Sequence, residues 1–328
     1  MTTSLPETHV PAAISAADNL GDLHHVMRFS HYTPGWHRNR AALWPEPRTS
    51  FRPTQWRYSE SKQALIQAGR WMSTEEAERR NLIMANPMVD ENQCDQYSTV
   101  RTLVAAYQMI KPGEYAKAHR HSPNALRLVL EAGDGVHTVV DGKQLTMRAG
   151  DVLLTPGHGW HSHFNEGEKN AYWIDYLDVP LVQLLEPMFV EHFPGGTQTV
   201  DSFTDDPTLV FRAAMVRNAL DQSLIEEGVR AIILPSQGKI QTMELRFTEI
   251  NSKANLLRPR STVNRVVTVC KGICEIQVGP DHFELNIGDT LAIPCWNNTA
   301  MLAPLGALLC EVSDEPTQRA LGFYKQEQ

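Results

Sequence analysis

Residues 118–167 read AHRHSPNALRLVLEAGDGVHTVVDGKQLTMRAGDVLLTPGHGWHSHFNEG. Four short apolar runs lie in this stretch: LRLVLE (126–131), VHTVV (136–140), KQLTM (143–147) and VLLT (152–155). Each is too short for a stable helix and is bounded by glycine or by Asp-Gly. The Asp141-Gly142 pair is a strong hairpin signal, because these residue types tolerate the positive φ of a tight two-residue turn. Closely spaced short strands with such turns specify an antiparallel sandwich or barrel.

Outward from this stretch, the pattern repeats once. VVTV (266–269), ICEIQV (273–278), HFELN (282–286) and TLAIP (290–294) follow in the same order. Gly150-Asp151 with Pro156 matches Gly288-Asp289 with Pro294 at a constant offset of 138 residues. An internal repeat of this length makes the architecture a pair of barrels. The expected organisation is an N-terminal arm (1–95), a first barrel (96–180), a linker with a helix (181–238) and a second barrel (239–328). In the arm, three prolines and one tryptophan from Pro45 to Trp56, directly after Trp44, predict extended chain. Helices are expected over 59–69 and 74–80, the second opened by Ser73 and Glu76 as a capping box. The linker is expected to hold a helix over 209–227 and a polar turn at 235–238.

Composition narrows the function classes. The hydrophobic fraction of 42% suits a globular protein with full cores. No run of eighteen apolar residues is present, so a membrane-spanning helix is excluded. The start of the chain has neither a basic n-region nor an apolar h-region, which predicts a cytoplasmic protein. A formal charge of −8 without a basic block argues against nucleic acid as a partner. The five cysteines, Cys94, Cys270, Cys274, Cys295 and Cys310, show no CxxC pairing and read as reduced thiols, with Cys270 and Cys274 in the core.

The histidines are unevenly placed. Twelve of the thirteen fall at or before His192. Alternate residues of a strand share a face, so His119 and His121 direct both imidazoles into one barrel. His161, from a neighbouring strand, completes one face of a coordination sphere and leaves positions open. Imidazole suits iron, zinc, copper and nickel alike, so the donors do not name the metal. His163 shares the face of His161 and is expected to look toward substrate. His158 reads as an exposed turn residue, and His137 as a packing residue. In the second repeat the matching region is LLRPRSTVN (256–264), and Thr299 stands where His161 stands. That barrel is expected to be structural or to support assembly.

The stretches 118–142 and 149–167, with WIDYLDVPLV (173–182), resemble the gentisate 1,2-dioxygenase family, which includes salicylate and 1-hydroxy-2-naphthoate dioxygenases. The resemblance extends to WRYSESKQALIQAGRWMSTEEAERR (56–80) and through ELRFTEI, RPRSTVNRVVTVCKG, GDTLAIPCW and EVSDEPTQRALGFY near the C-terminus. It implies an all-β-dominated bicupin: two double-stranded β-helix (jelly-roll) barrels with a partly helical arm and a helical linker. It further implies one Fe(II) per chain on His119, His121 and His161, O2 and a small aromatic 2-hydroxy acid as reactants, and a homotetramer. By the same resemblance Arg127 pairs with the substrate carboxylate, while Gln108, His163 and Asp175 line the pocket. The chain departs from the family at Val104 and Ala106, where a bulky aromatic residue and often glycine are usual. That departure favours a 5-substituted salicylate or gentisate-like ring over a hydroxynaphthoate. The rival readings are a zinc or manganese isomerase and a ligand-binding sensor on the same barrel.

Overall fold

All eight quoted runs form strands whose ends lie within three residues of the limits read from sequence. The computed structural model describes residues 10–36, 43–77, 80–87 and 97–327. Chain contacts divide it into two units, Met1–Pro47 and Arg48–Gln328. The first unit holds helices α1 (Val10–Ser15) and α2 (Leu20–Phe29). Asn19 caps α2 by accepting the Asp22 N–H at 3.0 Å, which satisfies one of the amides that a helix start leaves open.

The second unit begins with β1 (Thr54–Trp56), α3 (Tyr58–Trp71), α4 (Thr74–Ala77) and β2 (Arg80–Ile83). The first barrel follows with β3 (Val104–Ile110), β4 (Tyr115–His121), β5 (Ala125–Glu131), β6 (Val136–Val140), β7 (Lys143–Thr146), β8 (Val152–Thr155), β9 (His161–Asn165) and β10 (Ala171–Leu177). Then come α5 (Val179–Leu185), β11 (Val190–His192), β12 (Ser202–Phe203), β13 (Val210–Phe211), α6 (Ala213–Gln222) and β14 (Val229–Leu234). The second barrel comprises β15 (Glu244–Ile250), β16 (Asn255–Arg258), β17 (Arg265–Gly272), β18 (Cys274–Val278), β19 (Asp281–Leu285), β20 (Thr290–Ile293), β21 (Thr299–Leu302) and β22 (Ala307–Ser313), closed by α7 (Glu315–Ala320).

Each barrel is two facing sheets. In the first, the order β13-β8-β5-β10-β3-β2 faces β11-β4-β9-β6-β7-β12. In the second, β1-β20-β17-β22-β15-β14 faces the shorter β16-β21-β18-β19. Ile110, Val129, Leu145 and Trp173 fill the first barrel. Val267, Ile276, Leu291 and Leu309 fill the second. A third cluster, including Leu128, Tyr107, Tyr176 and Phe247, packs barrel against barrel. Its hydroxyls are satisfied across the interface: Tyr107 donates to the Gly288 carbonyl at 2.7 Å, and Tyr176 lies 2.6 Å from the Thr268 hydroxyl.

The repeat is longer than the barrels, and its flanking pieces are exchanged. β1 pairs with β20 of the second barrel, and the Tyr58 N–H at the start of α3 donates to Asp289 at 2.8 Å. Reciprocally, β13 pairs with β8 of the first barrel, and the Ala213 N–H at the start of α6 donates to Asp151 at 3.0 Å. The two Gly-Asp turns recognised in the sequence are therefore the sockets for these helices. A second pair of clasps has the same symmetry. Asp178, before α5, accepts from the Asn124 backbone and side chain and from Thr242, which precedes β15. Asp314, before α7, accepts from the Asn264 backbone and side chain and from Thr102, which precedes β3.

Two helix expectations are corrected. The helix expected over 209–227 is Ala213–Gln222, because Val210 and Phe211 are drawn into pairing with β8 and residues from Val229 into pairing with β15. The helix expected over 74–80 is Thr74–Ala77, and residues 78–79 lie outside the described set. Arg80 instead opens β2, with its guanidinium on both oxygens of Glu114 at 2.6 Å. Half of the expected capping box is present, since the Ser73 N–H donates to Glu76 at 3.0 Å. The four described cysteines are free thiols, and burial pushes that of Cys274 up to about 12. Cys94 lies outside the described residues.

Candidate metal centre and its facing wall

His119 and His121 leave β4 on one face, and β9 places His161 opposite His119 in the antiparallel register. The alternation of the strand brings the rings together, with centroids 4.3–5.6 Å apart. One ligand atom from each lies within 4.8 Å of the others, the one such cluster of three among the described residues. His119 and His161 are buried, and His121 lies at the half-open mouth.

The tautomers follow from the backbone. Nδ1 of His119 lies 3.1 Å from the Lys117 carbonyl, that of His121 2.8 Å from Pro123 O, and that of His161 3.0 Å from Gly159 O. A carbonyl only accepts, so each Nδ1 carries a proton, and in its neutral form each ring turns the Nε2 lone pair toward a metal. Three neutral imidazoles oriented in this way are the donor set a divalent transition metal requires, and Nδ1 anchoring is how protein metal ligands are fixed. The ligand strand is itself braced from outside. β11 pairs along it, with Val190 opposite His121 and His192 opposite His119. That strand lay unread within the linker.

The facing sheet supplies a charged wall. Arg127, 3% exposed, donates from Nε and Nη2 to the two oxygens of Asp175, each at 2.7 Å. Gln108 donates its amide to the same carboxylate at 2.6 Å. Arg127 Nη1 lies 2.7 Å from His163 Nδ1. A guanidinium cannot accept or lose a proton here, so His163 Nδ1 is the acceptor and its ring is neutral with the proton on Nε2. His163 Nε2 is thus a donor, and the Thr138 hydroxyl, which donates to the Ser162 carbonyl at 2.9 Å, lies 2.9 Å from Nδ1. Of the five N–H bonds of Arg127, these contacts engage three. Val104 and Ala106 share the Gln108 face of β3, and Ala106 lies directly opposite Asp175.

The contacts join His119, His121 and His161 to one another and His163, Arg127, Asp175 and Gln108 to one another, with His161 and His163 ring centroids 5.8 Å apart; Val104 and Ala106 are placed by the β3 register alone. The structure adds Trp173, which sequence reading passed over: its ring lies 4.9 Å beneath the Arg127 guanidinium and 5.8 Å from the His163 ring. Its place between Gln108 and Asp175 in the alternation of β10 against β3 was the available signal. His158 is exposed in its turn, and His137 packs flat on Phe164 at 4.9 Å.

Residues 106–179 match the family described as Cupin domain. The 5-aminosalicylate 1,2-dioxygenase of a Comamonas species is 30% identical, covering 94% of this chain and 90% of its own. The chain belongs to the gentisate and salicylate 1,2-dioxygenase family. The gentisate 1,2-dioxygenase of a Ralstonia species is also 30% identical, over 89% of this chain and 90% of its own. The crystal structure of salicylate 1,2-dioxygenase from Pseudaminobacter salicylatoxidans superposes with a TM-score of 0.86 at 25% identity, covering 94% of this chain and 97% of that one. The family and the bicupin fold read from the sequence are both confirmed. No helix among the described residues is long and apolar enough to cross a membrane.

The second barrel of this dioxygenase has filled the corresponding space. Arg258 lies opposite Thr299 in the register that His119 and His161 occupy in the first barrel. Its guanidinium reaches the buried Glu311, at 2.8 Å to Oε1, and Thr248 donates to the same carboxylate. Burial alone would raise the Glu311 carboxyl, but Arg258 outweighs it and holds the group at about 2. A cation supplied by the chain stands where the first barrel presents imidazoles.

Proposed function

We propose that this chain opens the ring of a 2-hydroxybenzoate, a 5-substituted salicylate or gentisate-like acid, between the carboxyl-bearing and hydroxyl-bearing carbons. Both atoms of O2 enter the product, and one Fe(II) per chain is held by His119, His121 and His161. The observation that supports this most is the convergence of three Nε2 lone pairs on one wall of a barrel whose other wall carries a buried arginine.

The bound ferrous ion would supply the meeting point for the substrate oxygens and dioxygen and a path for electrons between them. The chain does the rest. Arg127 offers its two remaining N–H bonds to the carboxylate, in the paired geometry a guanidinium favours. Asp175 and Gln108 hold that guanidinium in place, so orientation is settled before the substrate arrives. His163 donates its Nε2–H to an oxygen of the bound substrate. Val104, Ala106 and the apolar barrel floor shape the slot for the ring and keep water from it.

The reading includes a cytoplasmic homotetramer. Free thiols support the first, and exposed Leu257 on the second barrel with Leu224 and Ile225 ahead of β14 support the second. The test is oxygen consumption by Fe(II)-reconstituted protein with gentisate, 5-aminosalicylate, salicylate and 1-hydroxy-2-naphthoate. Stoichiometric uptake with loss of aromatic absorbance is expected for a monocyclic acid. Uptake with the naphthoate alone would move the substrate class, and turnover without oxygen would replace the dioxygenase by a non-oxidative cupin.

A further inference from the structure

Among the buried polar atoms of the first barrel with no hydrogen-bond partner are Trp173 Nε1 and Gln108 Oε1, which lie on the sheet facing the histidines. Trp173 is 0% exposed and Gln108 2%. The two residues are directly opposed in the β3–β10 register. Opposed residues of an antiparallel pair project from the same face, with Cβ atoms about 5 Å apart. That face is the barrel interior, because Trp173 lies under Arg127 and Gln108 donates to Asp175. The Asp175 contact also fixes the amide. A carboxylate only accepts, so Gln108 turns its NH2 toward Asp175 and its oxygen elsewhere. An indole nitrogen only donates. One buried donor and one buried acceptor therefore stand side by side, and buried polar atoms of this kind are normally satisfied.

We propose that Trp173 and Gln108 form a subsite for a ring substituent that both donates and accepts a hydrogen bond, a hydroxyl or an amino group. The proposal rests on the hydroxybenzoate reading above and deepens it. The metal-binding histidines come from β4 and β9, while Trp173 and Gln108 come from the facing sheet. An aromatic acid bound through its carboxylate and ortho-hydroxyl turns the position para to that hydroxyl away from the metal. A hydroxyl or amino group there meets the facing wall, accepting from the indole N–H and donating to the amide oxygen. A methyl group of similar size satisfies neither. A nitro group accepts from the indole but sets its oxygens against the amide oxygen.

The test is calorimetric binding to the full-length protein loaded with redox-inert Zn(II), using salicylate and its 5-hydroxy, 5-amino, 5-methyl and 5-nitro derivatives. Losing a polar partner against a site built for it costs at least about tenfold in affinity. The hydroxy and amino ligands are expected to bind roughly ten- to a hundredfold tighter than the methyl and nitro ligands. Trp173→Phe keeps a ring under Arg127 and removes the donor. It should shrink that gap to about threefold or less, over and above any loss of affinity common to all five ligands. Gln108→Met, which removes the acceptor, should close the gap as well.

A 5-methyl ligand that binds wild-type protein as tightly as the 5-hydroxy ligand overturns the subsite without any variant. So does a Trp173→Phe protein in which every ligand weakens by the same factor, because the indole would then only support Arg127. Absence of binding by all five ligands would overturn the hydroxybenzoate reading and the subsite with it.

Discussion

Asp175→Asn tests the charged wall most directly. In the native barrel Asp175, 2% exposed, accepts two N–H bonds from Arg127 and one from Gln108. Asparagine keeps the volume but removes the charge. Its amide would also set one NH2 against those of Arg127 or Gln108. Breaking a buried ion pair on one side leaves an uncompensated charge and costs roughly 3–5 kcal/mol. For a chain of this size that is a fall in Tm of about 6 °C or more, read in a thermal melt of the metal-loaded protein. Removing both charges, as in Arg127→Met with Asp175→Leu, should recover most of the loss, because a well-packed apolar pair is often no worse than the ion pair it replaces. That double variant should still bind no hydroxybenzoate, and Arg127→Ala alone should raise KM by about tenfold or more through the lost bidentate contact. A Tm for Asp175→Asn within about 1 °C of wild type would show that the pair does not hold the guanidinium. An unchanged KM for Arg127→Ala would remove it from carboxylate recognition.

Three further outcomes follow from named contacts. His161→Ala should lower bound metal at least about tenfold, read by elemental analysis of dialysed protein, since two imidazoles hold a divalent ion far less well than three; near-stoichiometric metal would reassign the ligand. Glu311 has its carboxyl held at about 2 instead of 4.5, so its stabilisation is complete above pH 4.5 and lost as pH falls toward 2. The stability gap between wild type and Glu311→Gln should narrow by about 3 kcal/mol across that window in urea titrations, and a constant gap would contradict the assignment. Thr102→Val removes a hydroxyl 2.7 Å from the buried Asp314 and should destabilise by about 1.5–3 kcal/mol, whereas no loss would show that the inter-barrel clasp is dispensable.

What could be read before the structure was whatever short-range chemistry encodes. The HxH pair, the Asp141-Gly142 hairpin and the repeated Gly-Asp turn act within a strand or a turn, so their spacing carries their meaning. The three histidines were read from their spacing, whereas Arg127 was reached through the family resemblance. Trp173 was reached by neither, because an apolar aromatic in a strand looks the same whether it fills a core or floors a site. The exchanged arms were illegible for another reason. β1 reaches its partner across more than two hundred residues, with Gln55 donating to the Glu284 carbonyl at 2.8 Å, and no local pattern names so distant a strand. The bounds of α6 failed likewise: its helical period runs into Val210 and Phe211, and only the open edge of β8 decides that they extend.

A difference between the barrels supports the proposal that the chemistry belongs to the first. Both barrels bury a carboxylate at the same point of the last strand: Asp175 lies opposite Arg127, and Glu311 lies opposite Val267. Each is also met by a polar residue of the barrel's first strand, Gln108 or Thr248. A buried carboxylate needs a cation. In the first barrel the neighbouring strand supplies it, which leaves the opposite wall free for imidazoles. In the second, valine stands on the neighbouring strand, and the cation must come from the opposite wall. Arg258 takes that role from the register position of His119, crossing the space where a metal and a ring would otherwise sit. One exchange, arginine at 127 against arginine at 258, thus separates a barrel open to ligands from one closed by its own ion pair. The two barrels nevertheless depend on each other, because the sockets and clasps that seat the arms of each are built from residues of the other.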